Sequence, residues 1–239
     1  MSAPEPIVIA IDGPSASGKS TNARAVAREL GFIFVSTGAM YRGFAWFCLE
    51  QEIDLASTRA IGSGLKRWKA VLVLDDGEIH LEPPGRRRTR DELEAPATAS
   101  AASKVSAVPA VRKYMKDVQR GCIRFGSLVM EGRDIGTNVF PATDFKFYLD
   151  ATDAERDRRR NEAAASAPGK ESVAAAPTTD DLKTRDKRDS QRASAPLMMG
   201  LGALRIDTTN LTPEQTTALI LAEVDKRQTA SAQSRRKAA

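Results

Sequence analysis

Ile7-Val-Ile-Ala-Ile11, then Asp12, then Gly13-Pro-Ser-Ala-Ser-Gly18-Lys19-Ser20-Thr21: this stretch decides how the chain is read. Its second part fits G-x-x-x-x-G-K-[ST], a loop whose backbone holds a polyphosphate. Glycine lets the chain curl so that successive N–H groups point inward at phosphate oxygens. Lys19 brings a mobile positive charge to the β- and γ-phosphates, and the Ser20 hydroxyl is a ligand for Mg²⁺. Behind the loop, Ala23, Val26, Ala27 and Leu30 recur at helical spacing, so the apolar run reads as a strand and the loop opens a helix. The helix N-terminus adds a positive pole to the same point. Gly13, Pro14, Ser15, Ala16, Ser17, Gly18, Lys19, Ser20 and Thr21 are therefore the expected ATP-binding residues, with Ser20 on the metal. A merely structural glycine turn would account for neither the lysine nor the two hydroxyls.

The rest of the chain sets limits. Its 239 residues can bury a full core, and 41% hydrophobic with 28% charged residues is ordinary for a soluble globular protein. A net charge of +5 is modest, and a substrate with several phosphates explains it as well as nucleic acid would. Aromatic residues make up 5%, with none among the basic residues of the tail to stack on bases, which argues against a nucleic-acid partner. Cys48 and Cys122 sit in apolar contexts without metal spacing and read as buried thiols of a reducing compartment. No leader pattern and no membrane-length apolar run are visible, so the expectation is a cytoplasmic protein without a membrane partner.

Short apolar segments alternate with helical patterns. Ile7–Ile11, Ile33–Val35, Ser127–Glu131, Phe145–Asp150 and Ala203–Ile206 read as buried strands, with helices near 19–30, 39–51, 105–125, 152–166, 178–191 and 213–227. This rhythm predicts an α/β fold, a mostly parallel sheet flanked by helices. Thr212-Pro-Glu-Gln215 marks the start of the last helix as a capping box. Val71-Leu-Val-Leu74 and Ile79-His-Leu81 around a glycine turn predict a hairpin inside a small β-containing insertion. The expected organisation is a core of 1–61 plus 101–226 with a lid at about 157–177. Residues 62–100 form the insertion, and 227–239 a disordered basic tail.

Transfer of a γ-phosphoryl group is mostly a matter of charge and position, so several cations should converge from separate elements. Arg42 follows Ser36-Thr-Gly-Ala-Met-Tyr41, and Arg133 lies in Glu131-Gly-Arg-Asp-Ile-Gly136 beyond an apolar strand. Arg185, Arg188 and Arg192 share a helix face, with Asp189 four residues after Arg185. Alone, such a helix is a solvated face laced with weak pairs. With a phosphate loop at one strand end and Arg133 at another, where open α/β sheets bind ligands, the active-site reading is stronger. His80, the sole histidine, lies in the hairpin and is not expected to be catalytic, and Arg86-Arg-Arg88 reads as a solvated turn.

These motifs together resemble the bacterial cytidylate kinases, of the nucleoside monophosphate kinase family, along nearly the whole chain from Ile7 to about Val224. The resemblance rests on the phosphate loop, Ser36-Thr-Gly-Ala-Met-Tyr-Arg42, Ala101-Ala-Ser103 leading to Val111-Arg112, and Glu131-Gly-Arg-Asp-Ile-Gly-Thr137. It continues in Phe147-Tyr-Leu-Asp-Ala151 and Arg185-Asp-Lys-Arg-Asp-Ser-Gln-Arg192 before Ala195-Pro196. It implies a P-loop kinase fold whose insertion binds the nucleoside monophosphate. It implies transfer of the γ-phosphoryl group of ATP, with Mg²⁺, to CMP and dCMP by a monomer.

By the same resemblance, Thr37 and Arg42 would help hold the acceptor, Ser103, Arg112 and Asp134 would meet base and sugar, and Arg133 would bind the acceptor phosphate. Arg185 and Asp189 would meet the phosphate and the sugar, and Arg192 the base edge. Lys19, Arg133, Arg185 and Arg188 would form the catalytic set, with an arginine from 156–160. One departure stands out: Glu92-Leu-Glu-Ala95 occupies the place where the family commonly reads Glu-Ile-Arg-Thr. Either Arg88 or Arg90 substitutes, or the acceptor is gripped more weakly. A related kinase acting on another nucleotide or on a small alcohol is the nearest competing reading.

Overall fold

The computed structural model describes residues 5–83, 87–165, 186, 189–192 and 195–238. In chain order its elements are β1 (Val8–Asp12), α1 (Lys19–Leu30), β2 (Ile33–Ser36), α2 (Thr37–Glu50), α3 (Thr58–Arg67), β3 (Val71–Asp75) and β4 (Glu78–Glu82). There follow α4 (Arg90–Glu94), α5 (Pro96–Val105), α6 (Pro109–Gly121), a 3₁₀ turn (Cys122–Phe125), β5 (Leu128–Gly132) and one π turn (Ile135–Val139). The chain ends with β6 (Phe145–Asp150), α7 (Asp153–Ala165), β7 (Leu204–Asp207) and α8 (Pro213–Ala238).

The strands form one seven-stranded sheet in the order β3-β4-β2-β5-β1-β6-β7. All neighbours are parallel except β3 and β4, which form the hairpin. β1 is central and buried at every position, as a strand covered on both faces must be. Because side chains alternate across a strand, Val8 and Ala10 enter the core layer with Met40, Phe44, Trp68 and Met115. Ile9 and Ile11 enter the opposite layer, with Val26, Phe147, Ile220 and Val224. The carboxyl ends of β1, β2 and β5 lie side by side and carry the phosphate loop, Thr37 and Arg133, so the topology itself gathers the site.

The α/β reading holds, with three local differences. The helix expected over 105–125 starts only at Pro109, as α6, and ends in the 3₁₀ turn from Cys122. A separate helix, α5, precedes it over Pro96–Val105, with the break at Val108. Pro109 lacks the N–H that would continue α5 and holds Val108 extended, at φ −80° and ψ 121°. The hairpin does not stand apart: β4 pairs with β2 through Phe34–Glu78 and Val35–Ile79, so the 62–100 segment is fastened to the central sheet. The tail at 227–239, expected to be disordered, continues α8 to Ala238. Alanine, glutamine, lysine and arginine favour helix, and α8 is already nucleated by Ile220 and Val224 in the core, so only propagation is needed.

Candidate active site

Two glycines give the phosphate loop its shape. Gly13 has φ 148°, and a Cβ there would lie 2.0 Å from the carbonyl oxygen of Leu149. Gly18, at φ 85°, caps α1 without a side chain, which leaves the first amides of the helix open to a ligand. Neighbouring elements pin the loop from behind. Asn22 Nδ2 donates to the Gly18 carbonyl at 2.8 Å, and Thr208 Oγ1 donates to the Ser17 carbonyl at 3.2 Å. Lys19 is buried, and its ammonium donates to the Pro14 carbonyl at 2.6 Å. Burial, and then the charge of Arg133, pull its pKa down to about 7. An anionic phosphate would oppose both effects.

Beside the loop is a cavity of about 200 Å³, which the loop itself helps to line. Thr37, Tyr41 and Arg42 come from α2, Arg112 from α6, Arg133 and Asp134 from the end of β5, and Asp189 and Arg192 from the Arg/Asp segment. Arg133 joins this cavity to the loop: its Nη2 donates to Ser15 Oγ at 2.8 Å and its Nε to Asp189 Oδ2 at 3.1 Å. Asp189 is buried between Arg133 and Arg192, whose Nη2 lies 3.2 Å from Oδ1. Arg112 and Asp134 form a buried ion pair at 2.7 Å. Tyr41 is held in its phenol form, with burial pushing its pKa up to about 12.

Asp12, the last residue of β1, fixes the segment that carries Arg133 and Asp134. Its two carboxylate oxygens accept the N–H groups of Ile135 and Gly136, each at 2.8 Å. Full burial raises its pKa from 3.8 to about 7, although these two bonds pull the other way. Thr37 Oγ1 donates to the Glu131 carbonyl at 2.9 Å, and Ser36 Oγ to Glu131 Oε1 at 2.6 Å, which locks α2 to β5.

Helix α7 approaches the loop from the other side. Arg156 donates to the Ser15 carbonyl at 3.1 Å and pairs with Asp186, whose Oδ1 accepts the Ser15 N–H at 3.1 Å. Arg159 Nη1 donates to Thr208 Oγ1 at 3.0 Å, whereas Arg158 pairs with Glu155 and Glu162. A larger cavity of about 990 Å³ runs from Gly18 and Thr21 along Arg158 and Arg159 to Asn210 and Thr212. Ser20 lines both cavities, at their junction.

The residues expected to hold the acceptor are thus gathered, apart from Ser103 and Arg185. Ser106 and Ala102 line the cavity and Ser103 does not, its carbonyl accepting the Ser106 hydroxyl at 3.1 Å. Arg185 and Arg188 lie outside the described residues. Arg88, read as part of a solvated turn, is buried: its guanidinium donates to the Leu81 carbonyl at 2.8 Å and sits 5.3 Å from the Trp46 ring centre. Stacking on the indole repays the desolvation of a guanidinium, which is more weakly hydrated than an ammonium. Arg88 lines a third cavity between α2 and the hairpin, not the acceptor cavity. Glu92 is a capping residue, accepting the Thr89 N–H at 2.8 Å. Of the arginines expected from 156–160, Arg156 is the one bonded to the loop, whereas Tyr41, Ser106, Asp12 and Asp186 have no expected role in the sequence reading.

A Gly-rich loop on a helix N-terminus, a buried lysine and arginines converging from four parts of the chain on an acceptor cavity define a P-loop kinase. The family model for cytidylate kinase matches residues 9–226. Cytidylate kinases of Solibacter usitatus and Desulfitobacterium hafniense are similar at 39% and 40% identity, over 93% and 89% of this chain and 94% and 90% of theirs. One of Mycobacterium leprae is 38% identical, over 92% of this chain and 96% of its own. The chain belongs to the cytidylate kinase family.

Proposed function

We propose that the protein transfers the γ-phosphoryl group of ATP to CMP and dCMP, giving ADP and the cytidine diphosphate. The carrying observation is Arg133, which bonds the phosphate loop at Ser15 and the acceptor cavity at Asp189. ATP would lie along the larger cavity with its phosphates in the loop, and the nucleoside monophosphate in the smaller one. An acceptor phosphate oxygen, already anionic at neutral pH, attacks the γ-phosphorus as the bond to the β–γ bridging oxygen breaks, and ADP leaves. No general base is required, so the rate rests on alignment and on charge cancellation.

Lys19, Arg133 and Arg156 supply that positive charge from three elements, and in this reading Arg185 and Arg188 add to it. Thr37, Arg42, Arg112, Asp134, Asp189 and Arg192 would hold the acceptor, with Ser106 in the place expected of Ser103. Asp189 is suited to a sugar, since a carboxylate accepts two hydroxyl hydrogen bonds. Ser20 offers a hard hydroxyl oxygen at the junction of the cavities, and Mg²⁺ bound there with the ATP phosphates would neutralise charge on the transferring group. Closure of the lid expected at about 157–177, of which 166–177 lie outside the described residues, would exclude water and suppress ATP hydrolysis. The reading is of a monomer working in the cytoplasm on small nucleotides; no helix of the described residues is long and apolar enough to cross a membrane.

The test is ADP production from ATP and Mg²⁺ with CMP, dCMP, UMP, AMP or shikimate as sole acceptor. Turnover with CMP and dCMP well above the others is expected. Turnover only with another acceptor would overturn the assignment.

A further inference from the structure

Asp134 is held by two donors that meet the same oxygen. Arg112 Nη2 donates to Oδ2 at 2.7 Å, and Asn138 Nδ2 donates to that atom at 2.8 Å. Asn138 is fixed in turn by Lys116, whose Nζ donates to its Oδ1 at 2.8 Å. This last bond decides which way the amide faces. An ammonium only donates, so it takes the carbonyl oxygen of Asn138 and leaves the amide N–H groups toward Asp134. The four residues come from two elements at matched spacing: Lys116 is one turn beyond Arg112 on α6, and Asn138 lies in the π turn that Asp134 opens. The π turn is anchored at its start by Asp12 through Ile135 and Gly136. Arg120 of α6 also donates to the Val139 carbonyl at 2.7 Å, so the two elements keep a fixed distance.

Asp134 lines the acceptor cavity, whereas Lys116 and Asn138 do not. Among the described residues, both hydrogen bonds of the carboxylate go to Oδ2, and Oδ1 has no protein partner. A carboxylate oxygen only accepts, so Oδ1 suits a base edge that presents N–H, as the exocyclic amine of cytosine does. It repels the carbonyl oxygen that uracil presents at the same position. Discrimination of this kind depends on the carboxylate not rotating away, because a carboxylate with one partner on each oxygen would no longer offer the same atom.

We propose that Lys116 and Asn138 are positioning residues for base discrimination: through Asn138, Lys116 fixes which oxygen of Asp134 faces the acceptor. The inference rests on the reading of Asp134 as a base-contacting residue. Neither positioning residue touches the nucleotide, and the selectivity it controls is expressed only through Asp134.

The experiment measures kcat and KM for CMP and for UMP, and the inhibition constant of UMP against CMP, in Lys116→Met, Asn138→Leu and Asp134→Ala. Loss of a hydrogen bond to a charged group at each step leads us to expect a fall of about tenfold in the CMP:UMP ratio of kcat/KM for Lys116→Met. The expected fall is carried by KM for CMP, with kcat and KM for ATP within about twofold of wild type, and Lys116→Arg should restore the ratio. Asn138→Leu should match Lys116→Met or exceed it. If Asn138→Leu does not fold, Lys116→Met decides, since its side chain is only partly buried. An unchanged ratio with a lowered melting temperature would make the pair a structural staple and overturn the proposal. Collapse of selectivity in Asp134→Ala, with wild-type selectivity in the other two variants, would overturn the positioning role alone. Unchanged selectivity in Asp134→Ala would remove the base-contact reading, and the inference with it.

Discussion

Replacing Asp12 with asparagine should change how stability depends on pH in a direction opposite to the usual effect of an acidic residue. Asp12 is fully buried, and its pKa rises from 3.8 to about 7 on folding. The folded protein therefore keeps a proton on this group that the unfolded chain has lost. The stability this confers is present at low pH and is lost as pH climbs toward 7, above which the contribution is flat. At about 1.4 kcal/mol per pH unit, the two units between pH 5 and 7 amount to about 3 kcal/mol. Asparagine does not titrate. It has one carbonyl oxygen, so it accepts from either Ile135 or Gly136, and the N–H left without an acceptor costs about 1–3 kcal/mol at every pH. Urea denaturation of both proteins at half-unit steps from pH 5 to 8 isolates the difference, because all other titrating groups are shared. The stability advantage of the wild type should shrink by about 3 kcal/mol across that range. Parallel curves would refute the reasoning, since they would mean that Asp12 ionises at its ordinary pH despite its burial.

Lys19, held near pH 7 by burial and by Arg133, should regain its proton when ATP binds. At pH 8, calorimetry in buffers of different ionisation enthalpy should show uptake of about one proton per ATP, lost in Lys19→Gln; no uptake in the wild type would contradict the shift. Arg133→Lys keeps the charge but cannot reach both Ser15 and Asp189, so kcat/KM should fall by about tenfold to a hundredfold. Wild-type turnover in steady-state assays would show that the fork is not used. Gly13→Ala places a methyl group 2.0 Å from the Leu149 carbonyl at a φ that alanine resists, and should lower stability by about 3 kcal/mol or more. A wild-type urea midpoint would mean that the loop does not need its observed shape.

Much of this architecture is legible because its signals are local. The phosphate loop writes strand, curl and helix start within fifteen residues or so, and Arg133 follows an apolar run that reads as a strand. Arg112 and Asp134 could be placed in one site only through a family resemblance, since nothing in their own neighbourhoods pairs them across 22 residues. Asp12 is harder still: beside a phosphate loop it reads as one more polar residue, and its partners lie more than 120 positions away. Asp186 escapes for the same reason, its partner Arg156 lying 30 positions away. Other misses had signals that went unused. Ser57 caps α3 by accepting the Ala60 N–H at 3.2 Å, and Pro109 marks the break before α6. The tail shows a limit of hydrophobic periodicity, which reports burial and so is silent about an exposed helix carried by propensity alone.

The central claim is that the phosphate loop and the cavity beyond Arg133 are the two halves of a single phosphoryl-transfer site. The most direct measurement is the affinity, by calorimetry with Mg²⁺, of one molecule that joins adenosine and cytidine 5′ to 5′ through a polyphosphate. If both halves are engaged at once, this compound should bind at least about 100-fold more tightly than either ATP or CMP, and its uridine counterpart more weakly. Binding no tighter than ATP alone would contradict the account, because it would mean that the two cavities do not open onto one reaction path.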